Sequence, residues 1–245
     1  MDWMVLGLLV CVGLCVAGCA SELASQPAGE VPSRLRVLFV GNSYTFCNDL
    51  PGTVAKLAAA AEPPVDVHAE HFTKGGWSLE MHWNAGGALK RIGEGDWDVV
   101  VLQDKSTGPV ESPDSMKAHA AKFDAEIRKA GARTVFYMTW ARQHIPTMIE
   151  TLAKEYDARV AELNATVAPV GRAWQAALAE RPERGLHVED KSHPNQHGTY
   201  LAACVFYATL TGRDPRGLPN AGLDEVGADD AAFLQRIAWQ TVTGR

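Results

Sequence analysis

The chain has 245 residues, of which 47% are hydrophobic and 21% are charged, and its formal net charge is −6. These values are typical of a globular protein that is large enough to bury one substantial core. The acidic balance, with no long run of basic residues, argues against nucleic acid as a partner, because a phosphate backbone is bound by basic surfaces.

Residues 3–18 form an apolar segment that ends in small residues directly before Cys19. A membrane-spanning helix needs about 20 apolar residues, so this segment is short for one. The pattern resembles a bacterial lipoprotein signal peptide with its lipobox, although Met1 and Asp2 bring no positive charge to its start. The resemblance implies a signal peptide over residues 1–19, lipidation of Cys19 and a membrane anchor in the cell envelope. An uncleaved anchor and a plain signal peptide are the alternatives.

Residues 20–34 contain many Ser, Pro, Ala, Glu and Gly residues, a composition that favours a flexible tether. The remaining residues, 35–245, are expected to form a single domain. Two cysteines, Cys47 and Cys204, lie in that domain. They leave no framework for a metal site and could form one disulfide, but two free thiols are the favoured state. Neither a metal nor another cofactor is expected.

Apolar runs rich in β-branched and aromatic residues alternate with helix-favouring runs through the domain. Strands are predicted at the start of 37–46, at 65–72, 98–103 and 134–139, and as a short fifth at 168–171. Helices are predicted at 50–61, 78–92, 114–130, 149–163, 194–210 and 231–242. Strands that alternate with helices of ten or more residues favour a parallel sheet covered on both faces, a three-layer α/β/α sandwich. In such a sheet, ligands bind beyond the carboxyl ends of the strands.

The first strand ends abruptly at Gly41, Asn42 and Ser43, within the stretch VLFVGNSYTF of residues 37–46. Glycine and asparagine tolerate the backbone angles of a tight turn, so Ser43 is expected to begin the next helix. Unpaired N–H groups at a helix N-terminus stabilise negative charge, which suits a serine nucleophile whose own amide holds the oxyanion. A serine that merely caps the helix is the alternative.

Asp190 and His193 lie three residues apart in the stretch DKSHPNQHGTY of residues 190–200. In a loop that leads into a helix, this spacing lets the Asp190 carboxylate accept a hydrogen bond from one imidazole nitrogen of His193. The other nitrogen then faces outward as an acceptor, which is what a base for a serine hydroxyl needs. A pair that only organises the start of the helix is the alternative.

An apolar strand ending in Gly-Asn-Ser near the start, with Asp-x-x-His-Pro and then Gly-Thr-Tyr near the end, resembles the SGNH (GDSL-type) esterases. The resemblance spans most of the domain. It implies a flavodoxin-like sheet of about five strands with Ser43 as the nucleophile. It also implies that His193 is the general base and acid and that Asp190 orients it.

The resemblance further implies two oxyanion donors, a glycine after the second strand and an asparagine after the third. Gly76 matches the glycine, but the third strand ends in Gln103 and Asp104 where the family has Gly-x-Asn-Asp. The chain is therefore similar to a divergent branch with glutamine in this block. Gln103 carries the same amide on a stem one methylene longer, so we expect it to donate to the oxyanion together with Ser43 and Gly76.

Three further residues, Trp77, Trp140 and Arg142, follow the ends of predicted strands. Aromatic faces beside an arginine suit a sugar ring with an acidic or ester substituent. Ordinary packing at the rim of the pocket is the alternative for all three.

These features together predict a lipid-anchored serine esterase that acts outside the cytoplasm and removes acetyl or other small acyl groups from carbohydrate. A catalytically decayed ligand- or glycan-binding lipoprotein on the same fold is the alternative. A flavin-binding phosphate loop at residues 42–45 is a third possibility, but it gives no reason for Asp190 and His193.

Overall fold

A five-stranded parallel sheet lies at the centre of the molecule. The computed structural model describes residue 1 and residues 33–245. Its strands are β1 (Arg34–Gly41), β2 (Asp66–Thr73), β3 (Val99–Leu102), β4 (Arg133–Tyr137) and β5 (Thr166–Ala168). They lie in the order β2-β1-β3-β4-β5, and every neighbouring pair is parallel. This is the flavodoxin-like order, so the predicted fold class is confirmed.

The place of each strand in the sheet follows from its residues. All four residues of β3 are fully buried, as expected of a central strand covered on both faces. Each such apolar side chain stabilises the fold by roughly 1.5–3 kcal/mol relative to exposure. Polar and apolar residues mix in β2, which lies at the edge of the sheet with most of its residues partly or fully exposed.

Helices cover both faces of the sheet. They are α1 (Ser43–Phe46), α2 (Leu50–Ala59), α3 (Leu79–Ala85), α4 (Gly87–Glu94), α5 (Gly108–Glu111), α6 (Pro113–Lys129), α7 (Met148–Leu163), α8 (Val170–Glu180), α9 (Gln196–Thr211) and α10 (Ala228–Thr243). One core contains side chains of α2, α8, α9 and α10, and the other contains side chains of α3, α4, α6 and α7. The strands between the two cores complete the predicted three layers.

The structure changes two of the predicted helices and adds a further one. The helix expected at 78–92 is divided into α3 and α4, because Gly86 adopts a left-handed conformation (φ +73°) that ends α3. The helix expected from residue 194 begins at Gln196, because the side chain of Asn195 caps it by accepting a hydrogen bond from the Gly198 N–H. Helix α8 was not predicted at all.

Residues 33–245 pack as one unit. Both Cys47 and Cys204 are free thiols, and Cys204 is buried. Among the described residues, no helix is both long enough and apolar enough to cross a lipid bilayer. The predicted signal peptide, the lipidation site at Cys19 and nearly all of the predicted tether lie outside the described residues and stay predictions.

Candidate active site

The turn after β1 is shaped by close packing around Gly41. A Cβ atom at this position would lie 2.5 Å from Gln103 Oε1 and 2.8 Å from Thr45 Oγ1, so only glycine fits. The glycine is therefore required by this close approach and not by a left-handed backbone. Asn42 caps α1 in an extended conformation (φ −137°), its side-chain oxygen accepting from the Tyr44 N–H, and Ser43 is the first residue of the helix.

The structure brings Ser43, His193 and Asp190 into one hydrogen-bonded chain. Ser43 Oγ lies 2.8 Å from His193 Nε2, and His193 Nδ1 lies 2.5 Å from Asp190 Oδ2. Because a carboxylate only accepts, the ring proton belongs on Nδ1, which leaves Nε2 as the acceptor for the serine hydroxyl. The three side chains thus have the geometry of a nucleophile, a base and an orienting group.

The loop around Asp190 fixes the position of the imidazole. Asp190 Oδ1 accepts hydrogen bonds of 2.8 Å from the backbone N–H groups of both Ser192 and His193. Partial burial opposes ionisation of Asp190, but the hydrogen bonds from the His193 ring and from these two amides outweigh it. They lower the pKa of the Asp190 carboxyl to about 2. The carboxylate therefore remains charged throughout the range in which histidines titrate.

A pH dependence follows from this arrangement. His193 must be neutral to accept the serine proton, so hydrolysis should fall between about pH 8 and pH 5, where imidazoles gain a proton. Asp190 stays ionised until the pH approaches 2, so the loss should follow a single proton. The pH profile of kcat/KM measures this, with circular dichroism over the same range to exclude unfolding. A flat profile from pH 8 to pH 5 would show that no histidine acts as the base.

A stack of three aromatic rings lies behind the triad. The ring of Tyr44 lies 4.4 Å from that of Trp140, which lies 3.9 Å from that of Trp174, and all three are nearly parallel. Trp140 is only 1% exposed, and its Nε1 donates to the Ser192 carbonyl oxygen at 2.9 Å. The expectation that Trp140 contacts substrate is therefore not supported, because it has no free face. It holds the loop that carries His193.

Gln103 does not have the position expected of an oxyanion donor. It is completely buried, and its Oε1 accepts from the Asn42 N–H at 3.1 Å and from Thr45 Oγ1 at 2.7 Å. These donors fix the orientation of the amide. Its Nε2 then donates to Asn42 Oδ1 at 2.6 Å and to the Asp104 carbonyl oxygen at 3.1 Å. Both N–H bonds are used, so none is left for a substrate, and Gln103 instead supports the turn that carries Ser43.

The loop after β2 is held against the same turn. Lys74 N–H donates to the Gly41 carbonyl oxygen at 3.2 Å, and Asn42 Nδ2 donates to the Trp77 carbonyl oxygen at 3.0 Å. Gly76 lies between these two contacts with φ +74°, a conformation that other residues rarely adopt. The two contacts place the Gly76 segment beside the nucleophile turn.

Two backbone amides remain as candidate oxyanion donors. In the described part of the chain, neither the Ser43 N–H nor the Gly76 N–H donates a hydrogen bond. Ser43 is at the N-terminus of α1, where the first amides have no partner within the helix. Preorganised amides of this kind stabilise the negative charge of a tetrahedral intermediate.

Sequence reasoning missed two buried residues that support these loops. Asp104 Oδ1 accepts from the Leu79 N–H at 2.8 Å, and burial raises the pKa of the Asp104 carboxyl. His82 Nε2 donates to the Gly41 carbonyl oxygen at 2.7 Å, and burial lowers the pKa of its imidazole, which keeps it neutral. Two features of the sequence could have identified them: an aspartate that directly follows a buried strand, and a histidine three residues after the apolar Leu79.

The remaining two candidates lie in different surroundings. Trp77 is half-buried, with its ring against His82 and with Lys74 Nζ 4.4 Å from the ring centroid. Arg142 is half-buried and lines a cavity beside the Asp190 loop. No group of three or more potential metal ligands occurs among the residues that the structure describes.

Comparison with known proteins was made at the level of sequence and of structure. No family model and no curated protein sequence matches the chain. A solved structure from Slackia heliotrinireducens, described as a candidate SGNH hydrolase, shares 28% identity with a TM-score of 0.63. The match covers 72% of this chain and 99% of that one. The chain belongs to the SGNH hydrolase superfamily.

Other solved structures share the fold of this chain at lower identity. A DUF4886 family protein from Bacteroides uniformis has a TM-score of 0.71 and 18% identity, covering 86% of this chain and 95% of its own. A catalytic mutant of an acetylxylan esterase from Geobacillus stearothermophilus has a TM-score of 0.58 and 14% identity, covering 72% and 94%. These neighbours have the same fold as this chain.

Proposed function

We propose that this SGNH hydrolase is a lipid-anchored serine esterase that acts outside the cytoplasm and removes acetyl or other small acyl groups from carbohydrate. The observation that carries the proposal is the chain of contacts from Ser43 Oγ to His193 Nε2 and from His193 Nδ1 to Asp190. A serine that only capped its helix would not need a histidine and a carboxylate in line with its hydroxyl.

The proposed reaction begins when Ser43 Oγ attacks the ester carbonyl carbon and its proton moves to His193 Nε2. The carbonyl oxygen becomes an oxyanion, which the N–H groups of Ser43 and Gly76 stabilise. The carbon–oxygen bond to the alcohol then breaks, the alcohol takes the proton from His193, and the acyl group stays on Ser43. The Asp190 carboxylate stabilises the imidazolium of His193 both when it forms and when it gives up its proton.

Water completes the cycle. His193 accepts a proton from a water molecule, whose oxygen attacks the acyl carbon and forms a second oxyanion at the same amides. The bond to Ser43 Oγ breaks, the proton returns from His193 to Oγ, and the carboxylic acid leaves.

The proposed substrate and location rest on two further observations. Structures of acetylxylan esterases are among those that share the fold. The apolar segment before Cys19 supports export and lipid anchoring, which would place the domain where polysaccharides are found.

Covalent labelling tests this proposal directly. A fluorophosphonate probe should attach to the peptide that contains Ser43 and should stop the release of nitrophenol from p-nitrophenyl acetate. Acetate release from a panel of acetylated polysaccharides then identifies the alcohol. A protein that takes up no probe and releases no acetate, but binds a glycan array, would be the decayed binding protein instead.

A further inference from the structure

A cavity of about 250 Å³ lies between the loop after β4, helix α7 and helix α8. It is slightly smaller than the usual range for small-molecule sites, roughly 300–1,000 Å³, so it fits one ring-sized group and not an oligosaccharide. Its wall is largely apolar and includes Ile149, Trp174 and Leu178. Its polar lining residues are Arg142, Gln143, Gln175 and His187.

Arg142 is the charged residue in this lining. Within the described residues it makes no hydrogen bond and no ion pair, and its Nε atom is buried without an acceptor. Arg172, on helix α8, forms an ion pair with Asp157 at 2.5 Å. An anionic ligand in the cavity can supply the acceptor that the buried Nε–H lacks.

The carboxylates near Arg142 are already engaged. Arg142 contributes to the lowered pKa of Glu111, but less than the hydrogen bonds from Lys105 and Thr107, and Lys105 Nζ lies 2.8 Å from the Glu111 carboxylate. Asp190 is held by His193. Among the described residues, neither carboxylate forms an ion pair with Arg142, so its guanidinium is available to an anion from outside the chain.

The cavity shares its walls with the triad. The Gln143 N–H donates to the Lys191 carbonyl oxygen at 2.9 Å, between Asp190 and His193. His187 Nε2 donates to the Ala141 carbonyl oxygen at 3.2 Å, which joins the other side of the cavity to the same loop. Trp174 in the wall is separated from Tyr44 by Trp140 alone. A group bound in the cavity therefore lies against the loop that carries Asp190 and His193.

We propose that this cavity binds a ring that carries a carboxylate, on the alcohol part of the ester substrate, with Arg142 as the residue that selects the charge. This inference rests on the proposed esterase function and adds a substrate class to it. The apolar wall packs against the ring, and the guanidinium forms charge-assisted hydrogen bonds with the carboxylate. The natural group is either a sugar acid or an aromatic acid, and both present this chemistry.

The test compares two esters of the same shape, 4-acetoxybenzoate and the neutral 4-acetoxybenzamide. We expect kcat/KM to favour the anion by about 10-fold, as for hydrogen bonds to charged groups, and this preference to weaken with salt. Arg142→Gln should remove most of the preference, chiefly through KM, and Arg142→Lys should restore part of it. The matched control is Arg172→Gln, which removes a charge from helix α8 outside the cavity and should keep the parental ratio.

Binding to the Ser43→Ala variant makes the result independent of turnover. Calorimetry should show tighter binding of 4-acetoxybenzoate than of the amide by about 10-fold, and loss of this difference when Arg142→Gln is added. Acetylated glucuronic acid and acetylated glucose form the sugar pair, and the pair with the larger preference identifies the ring. A preference below about threefold in both pairs would overturn the inference. An inactive parent that still binds the anion through Arg142 would overturn only the esterase proposal.

Discussion

Replacing Ser43 by alanine should lower kcat for p-nitrophenyl acetate by about 10,000-fold or more, because the substitution removes the nucleophile and leaves only the oxyanion amides. The initial burst of nitrophenol should vanish with it. The matched control is Ser115→Ala, since the Ser115 hydroxyl donates to Glu80 and does not contact the triad. Stopped-flow measurement of nitrophenol release gives both quantities.

The double variant makes this prediction sharper. Residues that act as one unit are not additive, so Ser43→Ala combined with His193→Ala should be no slower than Ser43→Ala alone. An undiminished burst in Ser43→Ala would contradict the assignment of the nucleophile. Losses that multiplied in the double variant would mean that His193 acts on some group other than the Ser43 hydroxyl.

Replacing Gln103 by alanine should produce the largest loss of stability among the changes considered. It removes an amide that makes four buried hydrogen bonds and leaves the Asn42 N–H, Asn42 Oδ1 and the Thr45 hydroxyl without that partner. Each buried polar group left unsatisfied costs about 1–3 kcal/mol, so the free energy of unfolding should fall by about 3 kcal/mol or more. For a domain of this size, that corresponds to a decrease in Tm of roughly 6–12 °C.

The change in stability distinguishes two roles for Gln103, support of the turn that carries Ser43 and donation to the oxyanion. A residue that only donated to the oxyanion would lower kcat by roughly 100-fold and leave unfolding unchanged. Gln103→Ala should instead lower both, because the turn that carries Ser43 loses its support. Gln103→Asn, one methylene shorter, should not reach the same partners and should resemble alanine. The matched control is Gln240→Ala on the exposed face of α10, which should change the unfolding free energy by less than about 0.5 kcal/mol.

Local patterns in the sequence were enough to predict a parallel sheet whose strands alternate with helices along the chain. The buried run of β3 and the mixed run of β2 define a central and an edge strand, because burial on two faces or one selects different residues. Helix α8 was missed because its helix-favouring residues follow the short β5 directly, with no polar loop to mark a boundary. The break at Gly86 was visible as a weak point, but whether a glycine divides a helix depends on its packing.

The sequence by itself determined the candidate nucleophile and the Asp190 and His193 pair, because both depend on short-range spacing: a strand that ends at Gly-Asn-Ser, and two residues three apart in one loop.

Only the tertiary structure decided what surrounds Gln103, Trp140 and Arg142. An amide both donates and accepts, so the role of Gln103 is set by Asn42 and Thr45, about 60 residues away in the chain. An aromatic residue after a strand can face solvent or core, and the Tyr44 and Trp174 rings place Trp140 in the core. Within the described residues, Arg142 has no partner, because the nearby carboxylates of Glu111 and Asp190 already contact Lys105 and His193. Such choices depend on neighbours that are distant in sequence, and folding alone brings them together.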